Sequence, residues 1–185
     1  MRILVGMTGS TGVIYGVRLL EELAKSKVEA HLVMSEWAEK CLAMETRYSA
    51  GDVRSMAARS YKAGDMAAPV SSGTFQVDAM AVMPCSMKTL SAVANGYDDT
   101  LVARAAGVTI KESRKLVLAV RESPLSAVHL ENMLKLARLG VVIMPPAPAF
   151  YSRPESVSDI VDHAVGKCLD QLGIGHSLYR RWGGA

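Results

Sequence analysis

Five short segments of this 185-residue chain hold most of the side chains able to do chemistry. The first is Thr8-Gly9-Ser10-Thr11-Gly12, which closes an apolar run and precedes a helical pattern from Val13. Glycine lets a backbone approach a ligand closely, and the N–H groups and dipole of a helix start favour an anion. The spacing is neither GxGxxG nor the Walker GxxxxGK[ST] loop, so it points to a phosphate-bearing ligand without saying which. The second is Pro84-Cys85-Ser86-Met87-Lys88-Thr89, where hydroxyls and a cation gather at another helix start and Pro84 is expected to stop the strand before it. Ser86 reads equally as a plain N-cap and Lys88 as a solvated lysine. Ser35 heads a helix that ends at Glu45; N-capping accounts for the serine, and an exposed helix end for the carboxylate.

Arg121-Glu122 places a cation beside a carboxylate, suited to ligand contact and proton transfer or to a surface ion pair. Arg104 and Lys111 are seven apart and share one helical face, as a solvated stripe or as an anion clamp at a subunit interface. Pro145-Pro146-Ala147-Pro148-Ala149-Phe150-Tyr151 is stiff and extended, and ends in the ring and hydroxyl of Tyr151. Lys167 reads as a surface lysine of the last helix. Arg180-Arg181-Trp182 reads as a docking segment or a frayed end.

These residues need a scaffold, and the hydrophobic pattern supplies one. Strands are expected at 2–7, 28–34, 77–83, 115–120 and 140–144. Helices are expected at 13–25, 36–45, 50–59, 87–95, 98–113, 126–139 and 155–172, the last with Pro154 before its start and Gly173 after its end. Residues 60–75 show no period and read as an irregular loop. Strands that are apolar nearly throughout imply burial on both faces, hence a parallel sheet between two helical layers. Ligands in such folds lie beyond the carboxyl ends of the strands, where all five segments fall.

Length predicts one domain, residues 1–185. Half the residues are hydrophobic and the net charge is only +3, without a basic cluster interleaved with aromatics, so nucleic acid is not the expected partner. Cys41, Cys85 and Cys168 form no CxxC, and the four histidines are not at ligand spacing, so neither a disulfide framework nor a metal site is expected. The eleven methionines read as core filling. The start of the chain does not read as a signal peptide and no apolar run is long enough to span a membrane, which suggests a cytoplasmic protein.

Taken together, Thr-Gly-Ser-Thr-Gly, Met-Pro-Cys-Ser-Met-Lys-Thr-Leu, Arg-Ala-Ala-Gly-Val-Thr-Ile-Lys-Glu, Val-Arg-Glu-Ser-Pro-Leu-Ser, His-Leu-Glu-Asn-Met-Leu, Pro-Ala-Phe-Tyr and Arg-Arg-Trp-Gly stand in the order of the UbiX/Pad family of flavin prenyltransferases. The resemblance covers essentially the whole chain, and its Ser-Met-Lys-Thr variant is similar to the subgroup named for phenolic acid (hydroxyarylic acid) decarboxylases. It implies a flavodoxin-like, Rossmann-like three-layer α/β fold in a homo-oligomer, commonly a dodecamer. It implies that reduced FMN is alkylated by dimethylallyl monophosphate, giving prenylated FMN for a UbiD-type decarboxylase, without metal. Gly9, Ser10, Thr11, Ser35, Ser86, Met87, Lys88, Thr89 and Arg121 match its flavin-binding positions. Tyr151 and Lys167 match contacts to the prenyl phosphate, with Arg104 and Lys111 near that phosphate across a subunit interface. Glu45 and Glu122 match acidic residues of the prenyl-transfer and ring-closing steps. Thr11 stands where the family usually has Ser, keeping a reaction-side hydroxyl but adding a methyl. A stand-alone FMN-dependent decarboxylase and a non-catalytic FMN-delivery subunit are the alternatives. The related cysteine decarboxylases carry an Asn in the loop that here reads Pro-Cys-Ser-Met-Lys-Thr, and His129 lies inside a helix.

Overall fold

The computed structural model describes residues 1–183. Six parallel strands form one sheet: β1 (Arg2–Met7), β2 (Glu29–Met34), β3 (Arg59–Lys62), β4 (Ala79–Cys85), β5 (Lys115–Val120) and β6 (Val142–Ile143), in the order β3-β2-β1-β4-β5-β6. Without the edge strand β3 this is the flavodoxin-like order; β3 extends it to the doubly wound order of dinucleotide-binding folds. The order reverses between β1 and β4, so a crevice opens where the chain leaves these two strands.

Helices cover both faces. α1 (Val13–Lys25), α2 (Glu36–Glu45), α3 (Ala50–Ser55) and α7 (Val157–Leu172) enclose one core with Ile3, Val5, Met7, Leu32 and Met83. α4 (Met87–Asn95), α5 (Leu101–Lys111) and α6 (Ala127–Arg138) enclose the other with Leu4, Val33, Met80, Val82 and Leu118. The period-2 alternation of each strand supplies both cores at once, because successive side chains point to opposite faces. α1 sits close against the sheet: a Cβ on Gly16 would lie 2.4 Å from the Met83 carbonyl oxygen. Arg18 ties α1 to α7 through Asp162, at 2.7 Å.

Three expectations fail. The stretch 60–75 is not structureless: β3 occupies its start and a short 3₁₀ turn spans Pro69–Ser71. Pro84 does not end its strand; β4 runs through to Cys85, with a register shift against β5 between Val82 and Cys85. The shift accommodates a residue that has no N–H to give the ladder. The helix expected at 50–59 is also shorter: α3 ends at Ser55, residues 56–58 turn, and Arg59 begins β3.

Candidate functional site

A cavity of about 440 Å³ opens at the carboxyl ends of β1, β2, β4 and β5. Gly9, Ser10, Ser35, Ser86, Met87, Lys88, Thr89, Arg121 and Glu122 line it, so most of the expected flavin-binding residues converge there. Thr8 of the glycine-rich segment lines it too, as do Trp37, Asp99 and Val102, which the sequence did not single out. Its size is within the range of small-molecule and cofactor sites.

The loops around the cavity are fastened to one another. Thr8 is buried; its hydroxyl donates to the Pro84 carbonyl at 2.9 Å and accepts from the Ser86 N–H at 2.8 Å. Ser10 donates to the Arg121 carbonyl at 3.1 Å. These bonds bridge the ends of β1, β4 and β5, so the three loops form one rim. Gly9 is needed for packing: a Cβ there would lie 2.3 Å from that of Trp37. Gly12 is needed for conformation, with a left-handed φ of 90°.

The two helix starts differ in a way the sequence did not show. At α1, Glu45 Oε2 accepts from the N–H groups of Gly12 at 2.8 Å and Val13 at 3.3 Å. A carboxylate of this chain thus occupies the anion position that the glycine-rich turn suggested for a ligand. At α4, Ser86 is the N-cap, accepting from the Thr89 N–H at 3.3 Å. That bond satisfies one of the helix's first N–H groups and leaves those of Met87 and Lys88 for a ligand or water. Two hydroxyls, Ser86 and Thr89, stand 3.2 Å apart beside them. Of these two helix starts, α4 is the one with N–H groups open to a ligand. Lys88 is mostly exposed and pairs with Asp99 at 3.2 Å. Ser35 caps α2, accepting from Ala38 at 3.1 Å.

Arg121 and Glu122 do not pair with each other. Glu122 Oε1 accepts from the Ser123 N–H at 2.9 Å, and among the described residues Arg121 forms no ion pair; both residues line the cavity. Apolar surface from Val102, Ala92, Met87 and Trp37 completes the lining. A phosphate-bearing planar ring fits this donor set: N–H groups, hydroxyls and a guanidinium at the charged end, apolar walls along the ring. Glu45 and Thr11 do not line the cavity; Thr11 is exposed on the loop that Glu45 braces.

The remaining candidates fall into two other groups. The Tyr151 hydroxyl lies 3.2 Å from His163 Nε2 on α7, and Lys167 follows one turn later; burial, with Lys167 adding to it, disfavours a charge on His163. Tyr151 shares a second opening with Arg153, Arg180, Arg181 and Trp182. The tail is docked rather than frayed: Arg181, Tyr179 and His176 all bond to Asp170, and Trp182 meets the Tyr151 ring edge-on at 5.6 Å. Arg104 and Lys111 line a third opening with the 71–76 loop. Arg104 pairs with Asp98 at 3.1 Å and bonds the Ser71 carbonyl, while Lys111 pairs with Glu112. This opening shares no lining residue with the first cavity. Cys85 and Cys168 are fully buried, and burial pushes both thiols up to about 12, so neither is a nucleophile.

A family model described as Flavoprotein matches residues 1–169. A probable UbiX-like flavin prenyltransferase of Escherichia coli O157:H7 is 55% identical over 185 residues, which is 100% of this chain and 94% of that protein. The chain belongs to the flavoprotein family. Its relatives within that family are UbiX-like flavin prenyltransferases. The crystal structure of AnUbiX (PadA1) in complex with FMN and dimethylallyl pyrophosphate superposes with a TM-score of 0.98 at 49% identity, covering 100% of this chain and 98% of that one. A dodecameric FMN-dependent UbiX-like decarboxylase from Escherichia coli O157:H7 gives a TM-score of 0.98 at 55% identity, with both chains fully covered.

Proposed function

We propose that this flavoprotein transfers a dimethylallyl group from dimethylallyl monophosphate to reduced FMN, and that the prenylated flavin goes to a UbiD-type decarboxylase acting on phenolic acids. The observation that carries the reading is the single cavity in which the open start of α4, Arg121 and Glu122 meet beside apolar walls. The relative crystallised with FMN and dimethylallyl pyrophosphate, 49% identical over this whole chain, supports it.

Each candidate residue has a part in this reading. Ser86, Thr89 and the free N–H groups of α4 hold the flavin phosphate. Arg121 adds the charge that helps fix it. When bound, the reduced flavin supplies the electron-rich ring that is alkylated. Tyr151 and Lys167 hold the prenyl phosphate and stabilise its charge as it leaves. Arg104 and Lys111 serve that phosphate from a second copy of the chain. Their opening is separate from the flavin cavity within one protomer, and a related protein of known structure is a dodecamer. Glu122 keeps Oε1 on the Ser123 N–H and has Oε2 free to take a proton during ring closure. Glu45 and Thr11 shape the loop on the reaction side. The proposed place of work is the cytoplasm; no helix among the described residues is long and apolar enough to cross a membrane.

The test is mass spectrometry of the flavin after incubation of the protein with reduced FMN and dimethylallyl monophosphate. One added prenyl mass is expected. Glu122→Gln should bind flavin normally and form little product. Folded protein that binds FMN and never yields that mass would overturn the reading. Carbon dioxide release from a phenolic acid by this chain alone would favour the stand-alone decarboxylase instead.

A further inference from the structure

His163 is a histidine that neither the sequence motifs nor the cavity lining singles out. It is 8% exposed, and its ring is packed between Tyr179, tilted over it at 4.7 Å, and Tyr151, edge-on at 6.0 Å. Nε2 lies 3.2 Å from the Tyr151 hydroxyl. Nδ1 is buried and has no hydrogen-bond partner. Burial, with Lys167 nearby, pushes its pKa down, so the ring is neutral.

A neutral imidazole carries one donor nitrogen and one acceptor. With the proton on Nδ1, a buried N–H would be orphaned, which native structures rarely tolerate. With the proton on Nε2, the orphan is only a bare lone pair, and Nε2–H donates to Tyr151 Oη. A phenol has a single hydrogen. Once its oxygen accepts from His163, that hydrogen is free to point away from α7. Tyr151 then meets an anion as a donor held in place from behind. In the opposite tautomer Tyr151 spends its hydrogen on His163 and offers an anion only lone pairs.

We propose that His163 is a positioning residue: by donating from Nε2 to Tyr151, it turns the Tyr151 hydroxyl outward as a donor for the phosphate of the allylic substrate. The proposal rests on the reading that Tyr151 holds that phosphate. Trp182, packed on the Tyr151 ring, restricts its swing and leaves the hydroxyl direction to His163. Tyr179 covers the imidazole and is itself fixed by Asp170.

The tautomer is tested directly by solid-state nitrogen NMR of histidine-labelled full-length protein. His163 should show a protonated Nε2 and a bare Nδ1; the reverse assignment overturns the proposal whatever the enzyme's activity. The function is tested by three variants. His163→Leu removes the donor and should raise KM for dimethylallyl monophosphate about tenfold, with flavin affinity unchanged. His163→Gln places an amide N–H near the Nε2 position and should recover most of that loss. Tyr151→Phe should raise KM similarly, and the double variant His163→Leu/Tyr151→Phe should be little worse than either single one. If the Leu variant does not fold, His163→Asn replaces it, since its shorter amide reaches only the Nδ1 position. Equal impairment of the Gln variant and the donor-less one, or effects that multiply in the double variant, would overturn the proposal. A Tyr151→Phe variant with unchanged KM would overturn both the proposal and the reading beneath it. An altered KM for Tyr151→Phe but not for His163→Leu would overturn the proposal alone.

Discussion

Glu45 offers a sharp test because two different jobs fall on one carboxylate. Gly12, the N-cap of α1, gives no side-chain cap, and the first turn of α1 holds no acidic residue. The two N–H bonds to Glu45 are thus the only side-chain satisfaction this helix start receives among the described residues. Loss of a capping side chain typically costs about 1 kcal/mol. A carboxylate at a helix start adds roughly 0.3–1 kcal/mol, at the low end here because Glu45 is exposed. Glu45→Ala should therefore destabilise by about 1.5 kcal/mol. For a chain of this size that lowers the melting temperature by about 3–6 °C. Glu45→Gln keeps an acceptor and loses only the charge, so it should melt within about 1 °C of wild type and converge on it at high salt. Circular dichroism melts at one fixed protein concentration give the answer, since assembly makes the midpoint depend on concentration. An Ala variant that melts with the wild type would remove the capping account. A Gln variant that melts normally but forms no prenylated flavin would assign the carboxylate a chemical role in addition.

Two further outcomes are expected. Gly16→Ala sets a methyl 2.4 Å from the Met83 carbonyl oxygen, a backbone atom that cannot step aside, and should cost about 1–3 kcal/mol in urea unfolding; an unchanged midpoint would contradict the close α1–β4 packing. Asp170 is held well below the usual carboxylate range, chiefly by Arg181, so its stabilisation is complete above the ordinary value of 3.8 and is lost as pH falls through the lowered one. The difference in urea midpoint between wild type and Asp170→Asn should be constant above pH 3.8 and shrink below it; a difference that widened in acid would contradict the ion-pair account.

Much of the architecture is legible in the sequence because both sheet faces are buried. The strands at 2–7 and 115–120 and the helix at 13–25 are marked by unbroken apolar runs or by period. β3 is illegible for the opposite reason. Arg59-Ser60-Tyr61-Lys62 is a short, polar edge strand, and edges are kept polar to discourage unwanted pairing. Pro84 misleads because its missing N–H falls at a register shift, which no local pattern reports. At the site, the segments at strand ends were findable from the topology rule alone. Trp37 and His163 were not, since each matters through a partner outside its own segment, Gly9 and Tyr151; the bonds from Thr8 to Pro84 and Ser86 were hidden for the same reason. The same holds for the bond from Glu45 to Gly12, which spans 33 residues and cannot be inferred from either local segment.

That bond also joins two helix dipoles through one side chain. Glu45 is the last residue of α2, where the carbonyl end of a helix disfavours a negative charge, and its carboxylate reaches the N–H groups at the start of α1, which favour one. A charge that would burden the end of one helix is thus turned to the start of another. Gly12 is where the glycine-rich loop passes into α1, so the exit of that loop is pinned to α2 as well as to its own helix.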